Sequence, residues 1–443
     1  MKNVNYSLLG LACGFLLAVG AIAPLPAHAA KVFNVKSYGA VGNGTTDDTT
    51  AILAATAAAN AVPGSTLLFP EGSYLVSSIF TVKGIEVVGQ SATVTTSSLA
   101  GLEVGGNNTR VHDMRFTSQL SANSGTVGIL VSHATNFEIR DNTFTGLTDC
   151  VSVGQSSNGK INANSMQLSS ASISGVSLSN ATNVMAQQNV IGGSGGSTAG
   201  AFRPSSSTKV TISSNKITNV AFGIFSQQDT DDTYTNNNFN QLNNNGIDLN
   251  TDTRITVTSN RITSAKGTAV RVFGVDTALI RNNILTGGQT GINLVSGSTT
   301  IVISGNEITS VTNAITGGLV NQLTITGNII DNVTSGFNQN SDANLVISFN
   351  KITTCSNAGI LVTNCIGTTE IQDNVLRFCA LSPSNPKAII YANCPIGRLI
   401  SIDSNTGTGS TNATYFIWCV QPSPPAMVKG NRTNTGLPNR IGS

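Results

Sequence analysis

The chain reads as an all-β protein, a single-stranded parallel β-helix, and three observations predict it. The first is a phrase of asparagine, any residue, then an apolar residue. It recurs at Asn142-Thr-Phe144, Asn164-Ser-Met166, Asn189-Val-Ile191, Asn215-Lys-Ile217, Asn237-Asn-Phe239, Asn260-Arg-Ile262, Asn282-Asn-Ile284, Asn306-Glu-Ile308, Asn328-Ile-Ile330, Asn350-Lys-Ile352 and Asn374-Val-Leu376. A period of 22 to 26 residues belongs to a solenoid whose units bury their apolar face only by stacking on neighbours. The second is the alternation of aliphatic and polar residues before each asparagine, as in Val210-Thr-Ile212 and Ile301-Val-Ile303, which is a half-buried strand pattern. The third is composition: with 10% charged and 5% aromatic residues, the core must be thin and aliphatic and the surface mostly neutral.

Each coil then has three elements. A small residue followed by an apolar one opens it (Gly128-Ile129, Gly223-Ile224, Gly246-Ile247, Gly291-Ile292, Gly359-Ile360). The alternating run is its second strand, and the residues after the asparagine form a third. The asparagines are expected at one inward corner, each amide bonding to the next coil. Ile129, Val151, Ile224, Ile247, Ile292 and Ile360 are expected to stack as one inward ladder over roughly a dozen coils.

Residues 1–29 read as a signal peptide: Lys2, an apolar run from Leu8 to Ile22, and the small-x-small site Ala27-His-Ala29. Residues 30–100 would form the cap and first coils and 101–443 the repeats. The protein is therefore expected to be exported, to the periplasm, cell surface or exterior, with no later segment able to insert in a membrane. A net charge of +2 without a basic block argues against nucleic acid as a partner.

Cys355 and Cys379 each lie five residues after their repeat asparagine, in successive coils. Cys365 and Cys394 each lie six after an opening small residue, and Cys419 falls at the same offset if Ala413 opens the next coil. Stacked coils bring equivalent Cα atoms within disulfide range. Bridges Cys355–Cys379 and Cys365–Cys394 are one reading and a reduced ladder of buried thiols the other. Zinc is disfavoured because no Cys-x-x-Cys pair occurs.

The stretch Phe33-Asn-Val-Lys-Ser-Tyr38-Gly39-Ala40-Val-Gly42-Asn-Gly44-Thr-Thr-Asp47-Asp48, followed by Phe69-Pro70-Glu71-Gly72, closely resembles the opening of the pectate-lyase-like superfamily. That superfamily includes polygalacturonases, polysaccharide lyases and epimerases, and phage tailspikes. The resemblance implies a right-handed β-helix, a pectin-lyase-like solenoid whose first end is plugged by an N-terminal capping helix. In that helix Thr46 or Asp47 would cap and Asp48 would favour the positive end, while Ile52, Leu53, Ala55 and Ala59 cover the first coil. The likeness to tailspikes leaves a trimer open as an assembly.

Polygalacturonases carry Asn-Thr-Asp, Asp-Asp, Gly-His-Gly and Arg-x-Lys on successive coils. The matching register here gives Gly125-Thr126-Val127, Thr148-Asp149, Ile173-Ser174-Gly175 and Arg203 followed by Ser205. Only Asp149 and Arg203 remain, and hydrolysis by that mechanism needs two placed carboxyl groups. Asn250-Thr-Asp252 lies after its strand and is a chance match to the first motif.

Outward-facing positions of the opening strand read Leu130, Ser152, Ser177, Arg203, Phe225, Asp248, Arg271, Asn293, Thr316, Asn338 and Leu361. Asp229 and Asp252 follow on adjacent coils. In so charge-poor a chain this concentration marks a site, with Asp248, Arg271 and Asp149 as catalytic candidates and Arg203, Asn250 and Asn293 for substrate. Asp229 and Asp252 would hold Ca²⁺ through oxygen ligands, the one cofactor the pattern suggests. The competing reading is an Asp-rich turn, with Asp248 merely pairing with Arg271 across coils. His112 and His133 read as surface residues. The expected partner is an acidic, uronate-containing polysaccharide that the protein cleaves or modifies. The alternative is a noncatalytic carbohydrate-binding or structural surface protein, and fold does not choose between them.

Overall fold

The computed structural model describes residues 31–120, 124–194, 199–380, 388–395, 398–409, 412–420, 427–434 and 436–441; the expected signal peptide lies outside them. The chain winds into a parallel β-solenoid of about 15 turns, rather more than the dozen expected, with one short α-helix near its start. Every strand pairing is parallel, coil on coil; for example, Val151 pairs with Ile129 on one side and Val176 on the other. The predicted inward ladder runs unbroken as Ile129, Val151, Val176, Phe202, Ile224, Ile247, Val270, Ile292, Ile315, Phe337 and Ile360. All of these side chains are buried, so the core is a column of aliphatic layers with a few phenylalanines.

The asparagine corner forms as expected and extends further, through Asn405 to Asn431. Asn215 shows the pattern. Its Oδ1 accepts from the backbone N–H (2.9 Å) and the Nδ2 (3.0 Å) of Asn189. Its own Nδ2 donates to the Ala186 carbonyl (3.0 Å) and to Asn237 Oδ1 (2.9 Å). An amide carries donor and acceptor together, so the bonding repeats in every coil. The residue before each ladder asparagine takes a left-handed φ, as at Asp141 (56°), Ala163 (53°), Asn236 (56°) and Phe349 (57°). That single residue bends the strand by one corner and aims the next side chain inward. The ladder's bonds hold non-glycine residues in a region that costs them roughly 1–2 kcal/mol. Here one expectation is corrected: the phrase Asn282-Asn-Ile284 is out of register by one. Asn282 takes the left-handed position (φ 54°) and Asn283 joins the ladder, because side chains alternate faces and a one-residue slip reverses them.

At the first end, the helix Thr49–Asn60 closes the solenoid. Asp48 occupies the N-cap position without a side-chain bond to the helix, while Asp47, one residue earlier, accepts from the Thr49 N–H (3.0 Å) and from Ser77 Oγ (2.6 Å). Asp48 instead turns into the loop before it and accepts from the N–H groups of Val41 (2.6 Å) and Gly42 (3.1 Å). Ile52, Ala55 and Ala59 are buried, whereas Leu53 is 40% exposed. It lies one residue beyond Ile52 on the helix and so leaves the buried stripe.

At the far end two disulfides, Cys355–Cys379 and Cys365–Cys394, join successive coils with Cα separations of 4.4 and 4.8 Å. Cys419 does not continue the Cys365–Cys394 column. It pairs in register with Ala392 because Tyr415, not Ala413, stands opposite Ala388, and its thiol is free and buried.

Candidate functional site

The outward face of the opening strand is aligned as the sequence predicts. Leu130, Ser152, Ser177 and Arg203 pair successively. Phe225 follows, then Asp248, Arg271, Asn293, Thr316, Asn338 and Leu361. Parallel pairing without slippage makes residues far apart in sequence neighbours along this face.

Within it lies a depression of about 250 Å³ lined by Asp149, Ser174, Ser177, Arg203, Phe225 and Gln227, among others. Asp149 and Ser174 are adjacent in register and joined by a hydrogen bond from the Ser174 hydroxyl. Next in that column is Gly200, where a Cβ would come within 3.1 Å of the Arg203 Cγ. The missing side chain leaves room for the Arg203 stem beside Gly200. Arg203 also stands 5.3 Å from the Phe225 ring centre, a cation–π distance. Burial pushes the Asp149 carboxyl above its ordinary value, while the Ser174 hydroxyl and the Arg203 charge pull it down. The groove thus joins a carboxyl group of raised proton affinity, a guanidinium and an aromatic face. Phe225 and Ser174 were not singled out from sequence, although Phe225 stood in the outward column.

Asp248 and Arg271, on the two coils that follow Phe225, are locked together. Arg271 donates to Asp248 Oδ1 at 2.8 Å, Asn245 donates to Oδ2 at 2.8 Å, and the Asp248 side chain is only 4% exposed. Arg271 also leans over Phe273, 5.5 Å from its centre. Asp248 is an anchor for Arg271 and has no free oxygen directed outward, which is the pairing the competing reading described. Asn293 follows Arg271 on the outward column, and Asn250 stands two residues beyond Asp248.

Asp229 and Asp252 are corrected outright as outward metal ligands: they are 0% and 1% exposed and point into the solenoid. Asp229 Oδ1 accepts from the Ser207 N–H (2.7 Å), and Asp252 Oδ1 from the Asp229 N–H (2.9 Å). With Asp232 and Tyr234 they form an internal polar cluster. Their signal, aspartates on adjacent coils, fits an inward corner as well as an outward cage. Among the described residues no group of three His, Cys, Asp or Glu side chains is arranged to hold a metal ion. His112 is also corrected. It is 7% exposed, held between Asp113 (2.7 Å) and Glu86 (3.1 Å), while His133 is exposed as expected beside Ser132.

Comparison with known proteins now gives the class. Residues 32–248 match the family described as "Rhamnogalacturonase A/epimerase, pectate lyase-like", and residues 245–415 match the "Right handed beta helix region". The chain belongs to the pectate-lyase-like superfamily of right-handed β-helices. A 45-residue stretch is 56% identical to the mannuronan C5-epimerase AlgE3 of Azotobacter vinelandii, covering 10% of this chain and 2% of that enzyme. The surface adhesin PfbA of Streptococcus pneumoniae superimposes with a TM-score of 0.59 at 17% identity, over 71% of this chain and 93% of the adhesin. DFA-IIIase of Arthrobacter chlorophenolicus A6 does so with a TM-score of 0.51 at 14% identity, over 69% of this chain and 95% of the enzyme. At these identities the two structures show the shared fold. The two disulfides fit an oxidising setting outside the cytoplasm. No helix of the described residues is long and apolar enough to cross a membrane.

Proposed function

We propose that this protein binds a uronate-containing polysaccharide along the outward face of its opening strands and acts on it by proton abstraction next to the uronate carboxylate. The observation carrying the reading is the groove in which Asp149, with its raised proton affinity, faces Arg203 beside the Phe225 ring. Arg203 would pair with the uronate carboxylate and stabilise negative charge developing there. Asp149 would remove the proton from the carbon bearing that carboxylate. In elimination, that C–H bond breaks, a carbon–carbon double bond forms, and the neighbouring glycosidic C–O bond breaks. The departing oxygen takes a proton from water, and Asp149 later returns its own to solvent. In epimerisation a proton from water is instead delivered to the opposite face of that carbon, Asp149 later releases the one it took, and no chain is cut. Acid–base hydrolysis is disfavoured, since Asp248 is sealed by Arg271 and Asn245 and leaves the groove a single open carboxyl group.

Ca²⁺ dependence belongs to the same assay. Polygalacturonate, alginate and bacterial exopolysaccharides are incubated with the protein, with and without Ca²⁺, and unsaturated products, new reducing ends and uronate configuration are followed. Asp149→Asn should lower turnover by about 10²–10⁴, the usual worth of a general base, with the fold intact. Full turnover in Asp149→Asn and Arg203→Ala sinks the assignment. Polymer binding without turnover in the wild type selects a noncatalytic glycan-binding surface, which the single open carboxyl group also favours.

A further inference from the structure

The outward column that carries Arg203 and Arg271 continues to the other end of the solenoid. Leu361 is followed in register by Tyr391, Trp418 and Arg440, and Tyr415 lies on the same strand as Trp418. The Trp418 ring centre is 5.4 Å from Tyr391 and 5.6 Å from Tyr415. The Arg440 guanidinium lies 4.8 Å from the Trp418 centre and 5.6 Å from that of Tyr415. The chain has one tryptophan and six tyrosines, so its sole indole and a third of its phenols are gathered on this patch. All four side chains are partly exposed, in contrast to Tyr74, Tyr234 and the phenylalanines that fill the interior. Arg440 has no carboxylate partner among the described residues; its hydrogen bond is to the Tyr415 hydroxyl at 3.5 Å.

We infer that Tyr391, Tyr415, Trp418 and Arg440 form a second glycan-binding subsite that takes a stretch of an acidic polysaccharide. The apolar faces of sugar rings pack on aromatic rings. A guanidinium without a carboxylate partner among the described residues, set 4.8 Å from an indole centre, matches a sugar carboxylate. The occupant follows from this pairing of apolar faces with a lone cation, and from continuity with the groove. The patch lies six coil steps beyond Arg271, roughly 29 Å at the strand spacing, on the same straight face. The acidic character of the glycan rests on the reading under Proposed function, whereas binding at the patch requires no catalysis.

Trp418 is the only tryptophan, so the indole emission of the whole chain reports on this subsite alone. Titration with oligogalacturonates and oligomannuronates should change that emission saturably. Arg440→Ala and Tyr391→Ala should each weaken the response at least tenfold without altering the circular dichroism. Asp149→Asn should leave the response unchanged, which separates this subsite from the groove whatever the product assay shows. The inference is overturned if neither oligouronate changes the emission, or if the response survives in Arg440→Ala and Tyr391→Ala. An equal response to neutral cello-oligosaccharides overturns the acidic assignment.

Discussion

At one inward corner of the solenoid an amide stands in each coil from Asn142 to Asn431, with Asn283 in place of Asn282. The corner after the opening strand carries instead a mixture that includes Ser156, Ser207, Asp229, Asp252, Ser298 and Asp342, each accepting a backbone N–H of the preceding coil. Both corners must satisfy backbone groups that the turn takes out of the sheets. The amide donates and accepts, so its ladder is complete at any length. An ionised carboxylate only accepts, so stacking Asp229 on Asp252, with Asp232 close by, gathers negative charge in a dry interior. Burial pushes these carboxyl groups up to about 6 (Asp229), about 7 (Asp252) and about 8 (Asp232). Asp342, whose Oδ2 has no hydrogen-bond partner, is pushed to about 7. The difference teaches that the asparagine corner is a general construction device, whereas the aspartate corner makes stability depend on protons.

The largest effect is expected from breaking the amide ladder in the middle. Asn237→Ala removes the acceptor of two bonds from Asn215 (3.0 and 2.9 Å) and the donor to the Ile212 carbonyl (2.8 Å). Buried polar groups left unpaired cost ~1–3 kcal/mol each, so chemical denaturation should show a loss of several such increments. Asn237→Asp, which keeps the acceptor, should lose less at low pH than at high pH.

Near the end of the second corner the noncovalent stack gives way to covalent links. Cys365 lies two residues after Thr363, which pairs with Asn340, and so takes the place of Asp342 one coil later. Removing the Cys365–Cys394 bridge as the double serine variant should cost about 3.6 kcal/mol, by the loop-closure account of disulfides. The mature chain, unfolded without reductant, should titrate two thiols, Cys150 and Cys419; six would exclude both bridges.

Proton linkage provides the next contrast. The folded pKa values of Asp229, Asp232, Asp252 and Asp342 lie above the unfolded value of 3.8, so between about pH 4 and 8 the folded state binds more protons. Their stabilising contribution is complete below 3.8 and is lost as pH rises through 6 to 8. The melting temperature should therefore fall between pH 5 and 8, and Asp232→Asn together with Asp252→Asn should flatten that slope. An unchanged slope would mean that the cluster is charged and otherwise compensated. The smallest effect belongs to the outside of the same coils. Arg254→Ala breaks an exposed pair with Asp231, and such pairs are screened by solvent, so no resolvable shift in melting temperature is expected.

Much of this was legible in the residues themselves. The inward aliphatic ladder, the outward column from Leu130 to Leu361 and the stacking of Cys355 on Cys379 and Cys365 on Cys394 follow from counting, because a parallel solenoid converts sequence period into stacking, although counting left open whether those pairs are bridged. The groove was half legible: Asp149 and Arg203 came from their register in the superfamily. That Asp149 faces Ser174 with Gly200 empty beside them depends on neighbours one and two coils away. That Asp229 and Asp252 point inward was not legible, because proximity along the chain carries no information about inside or outside once a turn intervenes.

The sequence by itself determined the architecture, since an unbroken period with alternating aliphatic residues leaves the chain no other way to bury its apolar face. The tertiary structure decided the direction of the polar side chains. A single left-handed residue at a corner reverses every face that follows it, and whether that residue is Asn282 or its neighbour is settled by the bonds offered from the coils on either side. The same dependence buried Asp229 and Asp252, sealed Asp248 under Arg271, and brought Tyr391 beside Trp418.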